Sequence, residues 1–151
     1  MPEFRDGISA FNDQRWADAE KKFEAANDKT PSSEGHFDLG TSLYKEKKLD
    51  EAGENFRRVF STDDDDLKER AYFGLGNTEA SSGHLDKAIQ DYRRALEVKP
   101  GDVNARYNLE WAQRTLEEEK KKQDEKSKQG DKKDDQQAKN DDKSKDDKGK
   151  D

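Results

Sequence analysis

Apolar positions recur at helical spacing through the first 119 residues and then all but cease. Within that pattern the small and aromatic residues hold fixed places. Gly7, Gly40 and Gly76 form one series, and twelve residues after each come Ala19, Ala52 and Ala88. Four residues further on stands an aromatic, Phe23, Phe56 or Tyr92, and eight beyond that come Pro31, Asp64 and Pro100. The glycines are 33 and then 36 residues apart, the extra residues falling in the acidic run 63–66. This spacing predicts helices near 3–13, 16–28, 34–47, 49–61, 67–82, 85–98 and 102–122, with ends good to a few residues.

Amphipathic helices alone would repeat apolar residues without holding small ones in place. Glycine and alanine at fixed positions imply helices whose backbones approach closely, where a larger side chain would overpack the contact by roughly 1–3 kcal/mol. Pro31 and Pro100 end helices, because proline bars the residue before it from helical geometry. A single pair of such helices cannot bury its apolar face, so the pairs must stack. In the last helix Ala105, Leu109, Ala112 and Leu116 would meet the stack, with Glu110, Glu117, Glu118 and Glu119 outward. A polar outer face is what a terminal element needs.

These positions resemble the tetratricopeptide repeat, a helix–turn–helix unit. The clearest match is 69-ERAYFGLGNTEASSGHLDKAIQDYRRALEVKPGD-102, with Tyr72, Leu75, Gly76, Gly83, Ala88, Tyr92, Ala95 and Pro100 at the family's places. The unit at 33–66 carries Phe37, Leu39, Gly40, Leu43, Ala52 and Phe56, with Asp64 where proline is usual. The first unit carries Gly7, Trp16, Ala19, Phe23, Ala26 and Pro31, but has Asp6 where leucine is expected. The resemblance covers about four-fifths of the chain. It implies an all-α, right-handed superhelix: a domain over 1–122, with units near 1–33, 33–66 and 69–102 and a capping helix over 103–122.

In that family the first helix of each unit lines the concave side. The inward places here are Phe4, Ile8 and Phe11; Phe37, Thr41 and Tyr44; Phe73, Asn77 and Ala80; and Tyr107, Trp111 and Arg114. Each set has i, i+4, i+7 spacing and so shares one helix face. Phe37 and Phe73 could equally pack between neighbouring helices. Trp111 differs, because a capping helix has no following unit to pack against, and aromatic and arginine side chains often dominate interfaces. The resemblance thus implies a partner-binding groove of Phe37, Thr41, Tyr44, Arg70, Phe73, Asn77, Tyr107, Asn108, Trp111 and Arg114. Chaperone-binding members hold a terminal carboxylate with lysine, asparagine and arginine. The matching places here are Phe37, Thr41, Gly74, Asn104 and Asn108, or one unit earlier Phe4, Ile8, Asp38, Arg70 and Gly74. Only the asparagines and one arginine suit that task, so a co-chaperone of this type is not expected.

The ending 105-ARYNLEWAQRTLEEEKKKQDEK-126 resembles bacterial aerotolerance-operon (Bat-type) repeat proteins. Those are cell-envelope scaffolds partnered with membrane-anchored domains. That resemblance favours the periplasm or cell envelope, with the cytoplasm as the alternative.

Composition divides the chain in two. Residues 1–119 hold 18 basic and 27 acidic side chains, a net charge of −9. The last 32 residues hold 12 lysines, 10 acids and one apolar residue, Ala138. With no aromatic and no β-branched residue, 123–151 cannot offset the entropy of ordering and is expected to be a disordered charged tail. Its acids and lysines interleave, which leaves little attraction for phosphate and no ring for base stacking, so no nucleic-acid partner is expected. No apolar run nears the roughly 20 residues needed to cross a bilayer, so no direct membrane insertion is expected. The opening MPEFRDGISA has no basic-then-apolar signal, although a chain trimmed of an export segment would read the same. The absence of cysteine removes disulfides, thiolate metal sites and a cysteine nucleophile, and fits either a reducing cytosol or a periplasm.

Reactive chemistry is scarce. His36 and His84, the two histidines, stand in no ligand or base–nucleophile spacing; each reads as a helix-start or turn residue. The run 63–66 lacks the spaced oxygens and the glycine of a calcium loop, and suits the positive end of the following helix. No cofactor, metal or catalytic group is expected. The reading is a non-enzymatic scaffold that binds a peptide or helix of a partner protein. A self-assembling oligomeric scaffold is the alternative.

Overall fold

The computed structural model describes the backbone of residues 1–146 and the side chains of residues 1–129. The described residues form seven helices and no strand: α1 (Pro2–Asn12), α2 (Trp16–Lys29), α3 (Ser33–Lys45), α4 (Leu49–Arg58), α5 (Asp65–Ser81), α6 (Leu85–Val98) and α7 (Val103–Asp146). Residues Met1–Gln113 make one compact unit, and the chain from Arg114 onward is a second.

Three helix pairs build the compact unit, and each closes on the same contact. A Cβ added to Gly7 would lie 2.7 Å from the Phe23 ring, one on Gly40 3.2 Å from Phe56, and one on Gly76 2.6 Å from Tyr92. The glycine on the first helix therefore seats the aromatic of the second. Phe56 is also wedged from the far side, since a Cβ on Gly74 of the next pair would lie 2.8 Å from its ring. One side chain thus joins two pairs. Ala19, Ala52 and Ala88 are fully buried beside these rings.

Local capping fixes where helices begin. Ser32 accepts from the Gly35 backbone N–H at 3.0 Å, and Asp64 from that of Leu67 at 3.0 Å. Asp102 Oδ1 accepts from the N–H groups of Asn104 at 2.8 Å and Ala105 at 2.9 Å and starts α7. Each such cap is worth about 1 kcal/mol. The acidic run before α5 therefore has local work: Asp64 caps, and Asp66 pairs with Lys99 at 2.9 Å. Within each pair the chain reverses through one left-handed residue, Gln14 (φ 58°), Lys47 (φ 65°) or Gly83 (φ 81°).

Asp6 stands where Leu39 and Leu75 are buried, yet α1 is complete. The reason lies in the stack. Leu75 reaches toward Gly53 of the preceding pair, whereas Asp6 of α1 is exposed to solvent.

Two expectations need revision. The fourth helix ends at Arg58 rather than near 61, because tight bonds from Phe60 N–H to the Arg57 carbonyl and from Thr62 N–H to the Val59 carbonyl turn the chain there. The last helix does not end near 122, since helical backbone continues to Asp146. Lysine, glutamate and glutamine are good helix formers, no proline intervenes, and pairs such as Lys121–Glu117 at 3.0 Å add local support. Every side chain from 117 to 129 is nonetheless exposed. With nothing but local pairs to hold it, this stretch is consistent with the disordered tail that composition suggests. Residues 147–151 of that tail lie outside the described residues.

Candidate interaction groove

The side of the stack formed by the first helix of each pair carries the groove positions. Tyr44 of α3 reaches Ser81 of α5, hydroxyl to hydroxyl, at 3.2 Å. Phe37 and Phe73 are half-buried and pack as floor rather than rim. Phe37 tilts on Phe56 with ring centroids 5.8 Å apart, and Phe73 on Tyr92 at 5.9 Å. The Arg70 guanidinium lies 4.4 Å above the Phe37 ring. Thr41 donates its hydroxyl to the Phe37 carbonyl at 2.9 Å, so its polar group serves its own helix.

At the C-terminal end of the unit, three polar side chains from three helices converge. The Tyr92 hydroxyl donates to Asn77 Oδ1 at 2.7 Å, and Asn108 Nδ2 donates to the same oxygen at 3.0 Å. Burial pushes the Tyr92 hydroxyl up to about 12, which keeps it a donor at any physiological pH. Around these groups lies a hollow of about 250 Å³ lined by Tyr44, Asn77, Ala80, Ser81, Asn108 and Trp111, with Tyr92 beneath. On α7, Ala105 and Ala112 are fully buried, whereas Tyr107 is 67% and Trp111 44% exposed. One helix thus carries a packing stripe and an open aromatic stripe. Arg114, the last expected groove residue, belongs to the second unit and is exposed.

The start of α7 is anchored by Asp102. The backbone N–H of Ala105 holds its carboxyl below the usual range. Beside it Glu69 of α5 is only 4% exposed, and burial together with the Asp102 carboxyl pushes its own up to about 7. The sequence offered no sign of this pair, since the two residues are 33 positions apart on different helices. The histidines take structural posts. His36 Nδ1 lies 3.0 Å from Asn55 Oδ1, and His84 Nδ1 lies 2.9 Å from Glu79 Oε2, which Arg57 also holds through Oε1 at 2.8 Å.

Comparison with known proteins agrees with this architecture. Two family models, both described as tetratricopeptide repeat, match residues 4–66 and 69–102. The chain belongs to the tetratricopeptide-repeat family. Among solved structures, the first such domain of Spaghetti (RPAP3) bound to the HSP90 peptide SRMEEVD is 19% identical, with a TM-score of 0.70 over 76% of this chain and 90% of that one. The second domain of human RPAP3, in complex with the HSP70 peptide SGPTIEEVD, is 19% identical, with a TM-score of 0.68 over 74% and 92%. The Sgt2 domain from Aspergillus fumigatus is 15% identical, with a TM-score of 0.72 over 80% of each chain. At these identities the likeness is one of fold. No curated protein matches the chain. Among the described residues, no helix is long and apolar enough to cross a membrane.

Proposed function

We propose that this repeat domain is a non-enzymatic interaction module that holds a peptide or helix of a partner protein against α3, α5 and α7. The observation that carries this reading is the hollow in which Asn77 and Asn108 meet beneath the exposed Trp111. The Asn77 oxygen is taken by two donors. The Asn77 amide nitrogen and the Asn108 oxygen are then the groups that would meet a guest's backbone carbonyl and N–H. Tyr107 and Trp111 would cover its apolar side chains.

The peptides named with the two RPAP3 domains end in acidic EEVD. This groove supplies amides and rings where a carboxylate would need cations, and Arg70 is spent on Phe37. We therefore assign it an internal segment rather than a free C-terminus. The resemblance of 105–126 to aerotolerance-operon proteins is our reason for placing the partner in a bacterial cell-envelope complex. The deciding experiment is a pull-down from the native source, followed by affinity measurements with Trp111→Ala. Unchanged affinity for the captured partner would reject the groove.

One observation favours self-assembly instead. Met1 just before α1, Ile8 on α1, and Val103 and Tyr107 on α7 are exposed apolar residues at the first and last helices. Sedimentation at two concentrations separates the readings, because a species that stays near 17.4 kDa removes assembly.

A further inference from the structure

Asp38 shares a face of α3 with Thr41, one turn on, and follows Phe37. It is half-buried, and its carboxyl oxygens have no hydrogen-bond or ion-pair partner among the described residues. Arg70 of α5 acts on it through charge alone, because its guanidinium is laid over the Phe37 ring at 4.4 Å. Lys45, seven places along α3, holds its Nζ 5.7 Å from the centre of the Trp16 ring. Burial pushes the Asp38 carboxyl up to about 6, Arg70 opposing the shift and Glu34 adding to it. At neutral pH the charge is therefore partly stripped of water and not compensated by its own chain.

The fold does not ask for an acid at this place. At the offsets of 33 and 36 residues that relate the glycines, the first pair has Arg5 there and the third has Gly74. Acids with structural posts look different. Asp64 and Asp102 cap helices, and Glu79 is held by Arg57 and His84. Thr41 and Ser42 give their hydroxyls to the carbonyls of Phe37 and Asp38, within α3 itself. Asp38 is then the charged acceptor that this stretch of the groove offers a guest.

We propose that Asp38 determines specificity in the groove, by pairing with a lysine or arginine side chain of the partner segment that runs along α3 and α5 toward Trp111. This rests on the reading of the groove as a peptide-binding surface. Lysine and arginine bring donors and a positive charge, which is what an unpaired carboxylate lacks. A neutral amide could share a hydrogen bond with Asp38 but would leave its charge uncompensated. The wider field acts in the same sense, since residues 1–119 carry a net charge of −9 and so draw a basic segment while repelling an acidic one.

The test selects binders of the full-length protein from a displayed library of random dodecapeptides. Selected sequences should share a lysine or arginine at one recurring place. One of them is then synthesised with lysine and with norleucine there, and each peptide is titrated calorimetrically. Norleucine should weaken binding to the parent by about 5- to 50-fold, the range expected when a charged hydrogen-bonding partner is lost. Asp38→Asn should weaken the lysine peptide to the same extent and the norleucine peptide hardly at all, so that the two changes together cost no more than either. Glu34→Gln, which removes the neighbouring acid, should do far less than Asp38→Asn. The thermal midpoint of Asp38→Asn should be no lower than the parent's. Selected peptides that need Trp111 but share no basic residue would overturn this inference and leave the groove standing. So would a lysine peptide whose affinity Asp38→Asn leaves unchanged. Selection of no binder at all would overturn both.

Discussion

Gly76 and Tyr92 face each other so closely that a methyl group on the glycine would lie 2.6 Å from the ring's Cε1. The ring is fully buried, and its hydroxyl reaches Asn77, the residue that follows this glycine on α5. The contact that closes the third pair therefore also positions the floor of the groove. Gly76→Leu should lower stability by about 1–3 kcal/mol through overpacking. At about 4 °C or more per kcal/mol, the thermal midpoint should show it readily. Lys132→Ala in the tail should leave the midpoint where it was. Equal midpoints for Gly76→Leu and the parent would mean that the pairing of α5 with α6 is wrong.

The turn residues give a second stability test. Gly83 sits at φ 81° with open space around its Cα, so an alanine there meets only backbone strain. Gly83→Ala should cost about 1 kcal/mol, and Gly83→Asn clearly less, because asparagine tolerates the left-handed region. Chemical denaturation of the three proteins measures the order.

The two tryptophans should separate binding from folding. Trp16 is half-buried, with its ring edge-on to Phe11 at a centroid distance of 4.9 Å, so Trp16→Ala should cost about 2 kcal/mol of stability. Trp111→Ala should leave the midpoint nearly unchanged and weaken the partner about 5- to 150-fold, as loss of an interface anchor does. Calorimetry of binding, with a melting curve for each variant, reads both effects. Unfolding of Trp111→Ala would contradict the assignment.

Glu69 should make stability depend on pH in an uncommon direction. Its folded value of about 7 lies above the 4.5 of a free glutamate. Between those two pH values the folded state binds more protons than the unfolded one, so this group's contribution falls as pH rises from about 4.5 to 7. Buried Asp91, pushed up to about 6, acts in the same sense between 3.8 and 6. Glu69→Gln keeps a donor for Asp102 and removes the charge. Its midpoint should therefore gain on the parent's as pH rises from 5 to 8. A constant difference across that range would show that Glu69 is not held protonated against Asp102.

On α7 every side chain from 117 to 129 is exposed. Limited proteolysis should trim the protein to an end between about 116 and 125, since exposed helix without tertiary contacts opens readily. The trimmed domain should keep the parent's cooperative midpoint and bind the α7 groove's partner through Trp111. Protection of the region beyond 130 in the isolated protein would contradict this.

The sequence determined the pairs, because close approach leaves a mark in the order of residues itself. Gly7, Gly40 and Gly76 keep step with Phe23, Phe56 and Tyr92, since only a residue without a side chain admits a ring at that distance. The acidic run 63–66 was equally legible as a helix start, and Asp64 within it is the cap of α5. The shared left-handed turn was half hidden, as Gly83 advertises it whereas Gln14 and Lys47 adopt it under strain. Tertiary structure alone decided how the groove positions divide. Phe37 and Phe73 sink onto neighbouring rings, while Tyr107 and Trp111, at the same helical spacing, are exposed because no further pair covers that face of α7 among the described residues. It alone revealed that Asn77 and Asn108, 31 residues apart, share one hydrogen bond, and that Asn27 and Glu69 lie buried. Helical period reports which face a residue occupies. What covers that face is set by segments folded back from far away, and no local spacing records it.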